Sequence, residues 1–435
     1  MSDEAPNQGR NRSVVVVGGG PAGLIAAGTS ASRGAHTIIL EKMGSTGRKL
    51  SITGQGRCNL TNSAPLEQFI DAYGPNGRFL RQAFMRFFSS ELIGLFQGLG
   101  VTVELEPGGK FFPTGNCAPE LARVLAQWAV DRGATLMTDS PVAKIVTKND
   151  SISGVRVGRH KMHPADAVVL ATGGLSYPET GSTGDGYELA RALRHTIVPT
   201  RPALVPLETK GDVASKLQGL SLHDVGVRLW VDQKPITSLI GDLIFTHYGL
   251  SGPVILQLSR LAVDCLRARR TVQISIDLLP SRDERALEAY LIGKFNELGR
   301  RQLSTLLKEI LPPKMIPACL DLNSLSETLL GSQVTAAERR QLRHWLKDFR
   351  LDVKDHRSYD EAVVTAGGVD LREIDPRTMQ SRLVKGLYFA GELLDIDGPT
   401  GGYNLQAAFS TGWLAGFSAA EAPADSKDDG SRESV

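Results

Sequence analysis

The stretch Val14-Val15-Val16-Val17-Gly18-Gly19-Gly20-Pro21-Ala22-Gly23 decides the fold of this 435-residue chain. Four consecutive valines suit a strand buried on both faces of a parallel sheet. The spacing Gly18-x-Gly20-x-x-Gly23 follows at once. Gly18 permits a tight turn, Gly20 lets a pyrophosphate approach the backbone, and Gly23 lets the next helix pack close to the strand. That helix is expected from about Ala22 to Ser32, with its N-terminal N–H groups aimed at an anion. A second strand, His36 to Leu40, ends at Glu41. An acid about twenty residues beyond the glycines accepts hydrogen bonds from ribose hydroxyls and disfavours a 2′-phosphate.

Working outward, a second glycine-rich segment lies almost a whole chain away. Leu387-Tyr388-Phe389-Ala390-Gly391-Glu392 reads as a strand, followed by Gly401-Gly402-Tyr403-Asn404-Leu405-Gln406 and a helix from about Asn404 to Ala420. A chain that opens a nucleotide-binding unit at one end and completes it at the other reads as a flavoprotein. The positive end of the C-terminal helix suits the flavin N1/O2 edge, which gains negative charge on reduction. A nicotinamide dehydrogenase has no need of such a returning segment. Between the two, Val168 to Gly174 is another buried strand ending at glycines. There is no second GxGxxG, so no dedicated NAD(P)H domain is evident; NADH or NADPH visits transiently, or the substrate itself reduces the flavin.

Net charge is +2, from 49 basic and 47 acidic residues, which gives no electrostatic case for nucleic acid or membrane as a partner. Cys58, Cys117, Cys265 and Cys319 form no CxxC pair and no metal-ligand spacing. No apolar run is long enough to span a bilayer, and the polar start, Met1 to Arg12, lacks a signal-peptide core. The expectation is a soluble cytoplasmic protein acting on a small molecule, with its oligomeric state open. The tails 1–12 and 421–435 read as disordered.

The pattern places a nucleotide-binding domain at 13–196 and 361–420 with an insertion between. The insertion is β-like over 197–280 and 347–360, with alternation in Val225 to Val231 and Thr271 to Ile276. It is helical over 281–346, where Ser281-x-x-Glu284 and Thr335-x-x-Glu338 fit capping boxes and Pro312-Pro313 separates two helices. A further strand is expected from about 348 to 366.

Together these blocks resemble the BaiN-type NAD(P)/FAD-dependent oxidoreductases, also labelled the aminoacetone oxidase family of FAD-binding enzymes, over about residues 13–418. The resemblance rests on the 18–23 fingerprint; Gly47-Arg48-Lys49-Leu50 with Gly54 to Asn62; Ala171 to Gly174 with Tyr177-Pro178 and Thr180 to Tyr187; Phe245-Thr246-His247-Tyr248-Gly249-Leu250-Ser251-Gly252-Pro253; Thr365 to Val369; and the 390–406 block. It implies an α/β fold: a Rossmann-like FAD-binding domain with an inserted β-barrel-like domain and a helical subdomain. It also implies FAD as cofactor and one of two activities: NAD(P)H-linked reduction of an activated C=C bond, or amine oxidation with oxygen. We favour the reductase. Gln55, and Arg194 before His195, depart from the family's usual glycines.

The residues expected to hold the cofactor are Gly18, Gly20, Pro21, Ala22, Gly23, Glu41, Lys42, Arg48, Lys49, Arg57, Asn59, Val142, Thr172, Gly173, Gly174, Thr365, Gly367, Gly391, Glu392, Asp395, Gly402, Tyr403 and Asn404. Arg48, Lys49 and Arg57 stand in a glycine-rich loop, and cations with free backbone N–H groups make an anion cradle. His247 is the candidate proton donor; Cys58 and Tyr403 are further catalytic candidates, with no metal site. Two rivals come from other classes. A flavoprotein acting in RNA modification needs a basic face with exposed aromatics, against which 6% aromatic content counts. A plain NAD-dependent dehydrogenase would purify colourless.

Overall fold

The computed structural model describes residues 11–115 and 118–421. Cys117 and almost all of the expected disordered tails therefore lie outside the described residues. The chain divides into two units: one built from both ends of the sequence, through Thr200 and from Thr365, the other spanning Arg201–Val364. Ile197–Ala203 and Val364–Val369, two paired strands, carry the chain out of the first unit and back.

The first unit is built on a five-stranded parallel sheet. Its order is Leu387–Phe389, Ala167–Leu170, Ser13–Val17, His36–Leu40, Thr135–Met137. Val14 and Val16 face one hydrophobic cluster, Val15 and Val17 the other, so the valine run is buried on both faces. The C-terminal segment thus enters the same sheet as the fingerprint strand, two positions away. Helix Pro21–Ser32 and helix Tyr403–Ala420 pack together on one face. Their contact is close because Gly412 and Gly416 have no side chains; a Cβ there would lie 2.3 Å and 2.2 Å from the backbone oxygens of Ala22 and Ala26.

The second unit holds a closed six-stranded barrel: Leu207–Thr209, Gly249–Ser251, Lys234–Phe245, Ser221–Val231, Val272–Asp277 and Phe349–His356 in order around the ring. Closure removes sheet edges. The long hairpin turns at Asp232-Gln233, with φ of 48° and 64°, as a two-residue primed turn demands. Helices Glu284–Glu297, Leu303–Leu307, Ile316–Leu322 and Ala336–Lys347 follow in the stretch read as helical.

Three local expectations need correction. The stretch read as β-like contains a 15-residue helix, Pro253–Arg267, whose buried Val254, Ile255, Leu258, Ala262 and Cys265 form one face. Ser281 is not the cap of the next helix; Asp283 is, accepting from the Ala286 N–H at 2.7 Å. The expected strand over 348–366 is two strands, Phe349–His356 and one beginning at Val364.

Candidate functional site

The fingerprint turn is held by contacts that exclude side chains. Gly18, at φ 103°, donates its N–H to Leu40 O at 2.9 Å. A Cβ on Gly18 would lie 2.5 Å from Ala171 O, and one on Gly23 would lie 1.9 Å from Gly18 O. Gly20 differs: a Cβ there would meet nothing within 4 Å. Gly20 is also the N-cap of helix Pro21–Ser32, makes no side-chain cap and leaves the first-turn N–H groups to an outside acceptor. Glu41 stands beside this turn, accepting from Gly19 N at 2.7 Å and Met43 N at 2.8 Å. Lys42 pairs with Asp185 at 2.7 Å.

The second glycine-rich segment meets the first at Gly391, where a Cβ would lie 2.9 Å from Ala22 Cβ. Gly391 N–H donates to Thr411 Oγ1 at 3.0 Å. The C-terminal helix has Gly402 as its N-cap at φ 94°, again with no side-chain cap. Three residues far back in sequence fix this end. The Asn59 amide, turned so that its nitrogen donates to Phe111 O and Thr61 O, accepts from Gly402 N at 3.1 Å. Asn62 donates to Gly401 O at 3.0 Å, and Tyr73 OH to Tyr403 O at 2.7 Å. Asn404 closes the 398–404 loop by accepting from Gly398 N at 2.8 Å.

Next to Gly391 lies a polar knot. Glu392 accepts from Lys49 Nζ at 2.6 Å on one oxygen, and from Ser176 Oγ at 2.7 Å and Thr365 N at 2.8 Å on the other. Lys49 also donates to Ser176 Oγ. Thr365 Oγ1 in turn accepts from Leu175 N at 2.8 Å and Ser176 N at 3.1 Å. Burial pushes the Glu392 pKa up, but the Lys49 charge and these hydrogen bonds outweigh it, so the net shift is downward and Glu392 is a carboxylate. Gly174 fits against the knot; a Cβ there would lie 2.4 Å from Thr365 Oγ1 and 3.0 Å from Glu392 Oε1. Beside it, Thr172 Oγ1 is buried with no hydrogen-bond partner.

These features fit a dinucleotide. Gly20 is open where the neighbouring glycines are packed, the uncapped first turn at Pro21 offers free N–H groups, and Gly391 brings the returning segment against Ala22 at that turn. Gly18, Gly20, Pro21, Ala22, Gly23, Glu41, Lys49, Thr172, Gly173, Gly174, Thr365, Gly391 and Glu392 are linked through these contacts, whereas Gly402 and Asn404 stand at the start of the C-terminal helix against Thr61 and the 398–404 loop. Gly367, at φ 82°, serves the strand crossing, where its Cβ would lie 2.6 Å from Pro199 O.

Other candidates are placed differently. Arg57 forms an ion pair with Glu106 and lies 4.3 Å above the Phe112 ring, with 58% of its side chain exposed. Arg48 donates to Glu179 O at 3.2 Å. Val142 opens an antiparallel three-stranded sheet, paired with Val157. Asp395 accepts from Asn76 at 2.7 Å through its backbone oxygen. The Tyr403 ring packs on Phe69 at 4.3 Å. Cys58 is fully buried, and burial pushes its thiol up to about 12, so at neutral pH it is a small apolar group rather than a thiolate. His247 belongs to the second unit. It is exposed on a turn pinned by the Thr246 Oγ1 bond from Gly249 N at 3.0 Å, and its ring lies edge-on to Tyr248 at 4.8 Å. Tyr248 OH donates to Glu361 at 2.8 Å; burial first, then Glu361, pushes the phenol up to about 12.

Ser176, Asn62 and Tyr73 escaped the sequence reading. Ser176 had a usable signal, since it follows the Thr172-Gly173-Gly174 loop directly. Arg194 adopts φ 68°, which explains why glycine suits that position.

The profile of the family described as HI0933-like protein Rossmann domain matches residues 12–418. The chain is 33% identical to the 3-dehydro-bile acid delta(4,6)-reductase of Clostridium scindens over 413 residues, 94% of this chain and 99% of that protein. It is 31% identical to the ribosomal RNA dihydrouridine synthase of Escherichia coli, over 92% of this chain and 96% of that one. Among solved structures, an open flavocytochrome c3 fumarate reductase aligns with a TM-score of 0.51 at 18% identity, over 94% of this chain and 78% of that chain. The 3-ketosteroid-delta4-(5alpha)-dehydrogenase of Rhodococcus jostii aligns with a TM-score of 0.50 at 16% identity, over 96% and 99%. These two likenesses establish the fold. With the fingerprint, the returning strand and a family match across both units, this chain belongs to the HI0933-like family, as an FAD-dependent oxidoreductase of the BaiN type.

Proposed function

We propose that the protein reduces a carbon–carbon double bond conjugated to a carbonyl in a small apolar molecule, with NADH or NADPH as reductant. The observation that carries this reading is the end-to-end similarity to a bile-acid reductase. FAD, when bound, supplies hydride-transfer chemistry. Fingerprint backbone N–H groups and the helix end at Pro21 would hold the pyrophosphate, Glu41 the adenosine ribose, and the Lys49–Glu392–Ser176 knot the far side of the cradle. Reduction of an enone-type bond places hydride on the β carbon and a proton on the α carbon. The protein supplies that proton, and we assign it to His247, an imidazole on a turn fixed by Thr246 and by the clamped ring of Tyr248. With no second GxGxxG, the nicotinamide nucleotide visits rather than resides. Described cysteines that are all free fit a reducing cytoplasm.

A second reading has its own support: relatives in Escherichia coli and Haemophilus influenzae are named ribosomal RNA dihydrouridine synthase. The uracil ring double bond is conjugated to a carbonyl, so the same hydride and proton would reduce it. Incubating the holoprotein with NADH or NADPH and either a 3-keto-4,6-diene steroid or unmodified ribosomal RNA separates the two. We expect the steroid to gain two hydrogens by mass spectrometry. Reduction confined to RNA uridines would replace the first reading with the second.

A further inference from the structure

Lys49 and Glu392 lie 343 residues apart in sequence and meet at 2.6 Å, each with 19% of its side chain exposed. Their place in the sheet is informative. Glu41 follows His36–Leu40, on one side of the fingerprint strand; Glu392 follows Leu387–Phe389, two strands away on the other side. A dinucleotide whose ribose is held by Glu41 and whose pyrophosphate lies over Gly20 therefore extends its second half toward Glu392. The neighbouring contacts agree, because Gly391 touches Ala22 at the fingerprint helix and Gly174 abuts Glu392 itself.

A lysine there suggests an anion-binding cation, but its ammonium is already committed to a carboxylate. Each oxygen of that carboxylate is also engaged from within the protein. We propose that Lys49 and Glu392 form a charge-balanced pair that closes the flavin half of the cradle and sets how readily the bound flavin accepts electrons. Removing one partner of a partly buried pair leaves the other charge uncompensated, and charge near the isoalloxazine changes its electronics. A flavin gains electron density on reduction, so the two single changes must act in opposite directions. Lys49→Met leaves a carboxylate and disfavours reduction. Glu392→Gln leaves an ammonium and favours it. Pairs of this kind are apportioned by a double-mutant cycle.

The test is a midpoint-potential titration of the holoprotein with dithionite and reference dyes, on wild type, Lys49→Met, Glu392→Gln, the double variant and Lys49→Arg. It uses neither substrate nor nicotinamide, so it fails or succeeds independently of the proposed reaction. We expect Lys49→Met to shift the potential down, Glu392→Gln to shift it up, and the double variant and Lys49→Arg to stay nearest wild type. Shifts in the same direction for both singles, or no shift in either, would overturn the proposal. If a single variant purifies without FAD, the retained flavin content decides. The proposal requires the double variant to hold more FAD than that single, and a double variant equally empty refutes it.

Discussion

Gly20 and Gly23 are three residues apart in one fingerprint, yet replacing each by alanine should have unequal effects on the flavin-free protein. Gly20 has φ −80° and ψ −178°, a conformation alanine adopts freely, and its added Cβ would meet nothing within 4 Å. Alanine there restricts the unfolded chain, a gain of about 0.4–1 kcal/mol, but it is the poorer N-cap by a similar amount, so the apoprotein should stay within about 1 kcal/mol of wild type. Gly23 has no such room, since its Cβ would fall 1.9 Å from Gly18 O. The turn must open, and overpacking of this kind costs about 1–3 kcal/mol. For the cofactor the order changes. The space beside Gly20 is where we place the pyrophosphate, so the new methyl group should weaken FAD binding at least tenfold, or about 1.4 kcal/mol. Urea unfolding of apoprotein and fluorescence titration with FAD measure the two quantities separately. A Gly20→Ala protein that binds FAD like wild type, or unfolds as early as Gly23→Ala, would refute the placement.

Three further outcomes follow from buried or capping groups. His195 is buried between Glu373 at 3.0 Å and Ser381 at 2.9 Å; burial, outweighing the Glu373 charge, lowers its folded-state pKa. The unfolded chain then takes up the proton first, so this stability is present above about pH 6.5 and is lost as pH falls below it. The Tm advantage of wild type over His195→Gln should therefore shrink on going from about pH 7.5 to about pH 5.5; an advantage that grows contradicts the assignment. Cys58, with its thiol pushed up to about 12, should resist iodoacetamide in the native protein, and Cys58→Ala should keep turnover within about threefold. Rapid alkylation of the native protein would oppose this. Thr335 caps helix Ala336–Lys347 in a reciprocal box with Glu338, so Thr335→Ala should lose about 1 kcal/mol by urea denaturation and leave FAD affinity unchanged.

The features legible in the sequence are those whose causes are local. Val14 to Gly23 encodes strand, turn and helix within ten residues, and Thr335 and Glu338 specify a helix start by themselves. Helix Pro253–Arg267 is masked by the alternation of the strands that flank it. Gly252-Pro253 and the spacing of Val254, Leu258 and Ala262 were its signal. Asp283 displaced Ser281 as a cap because two cap-forming residues stand within one turn, and propensity alone does not choose. The polar knot was out of reach for another reason. Lys49, Ser176, Thr365 and Glu392 come from four chain segments that only the sheet order assembles. Sequence places Lys49 in an anion cradle; the fold shows in addition a carboxylate partner, Glu392, that the sequence does not reveal. The strands Ile197–Ala203 and Val364–Val369 run through both unit boundaries, which lie about four residues beyond the divisions at 196/197 and 360/361 expected from the pattern.

The most direct test of the central claim is an anaerobic titration of the purified holoprotein with NADH and with NADPH, followed by a conjugated enone. We predict that one of the two nucleotides bleaches the flavin within the time of turnover and that the enone restores its colour without oxygen. A flavin that neither nucleotide reduces, but that an amine substrate reduces and oxygen reoxidises, would contradict the account and make this chain an amine oxidase.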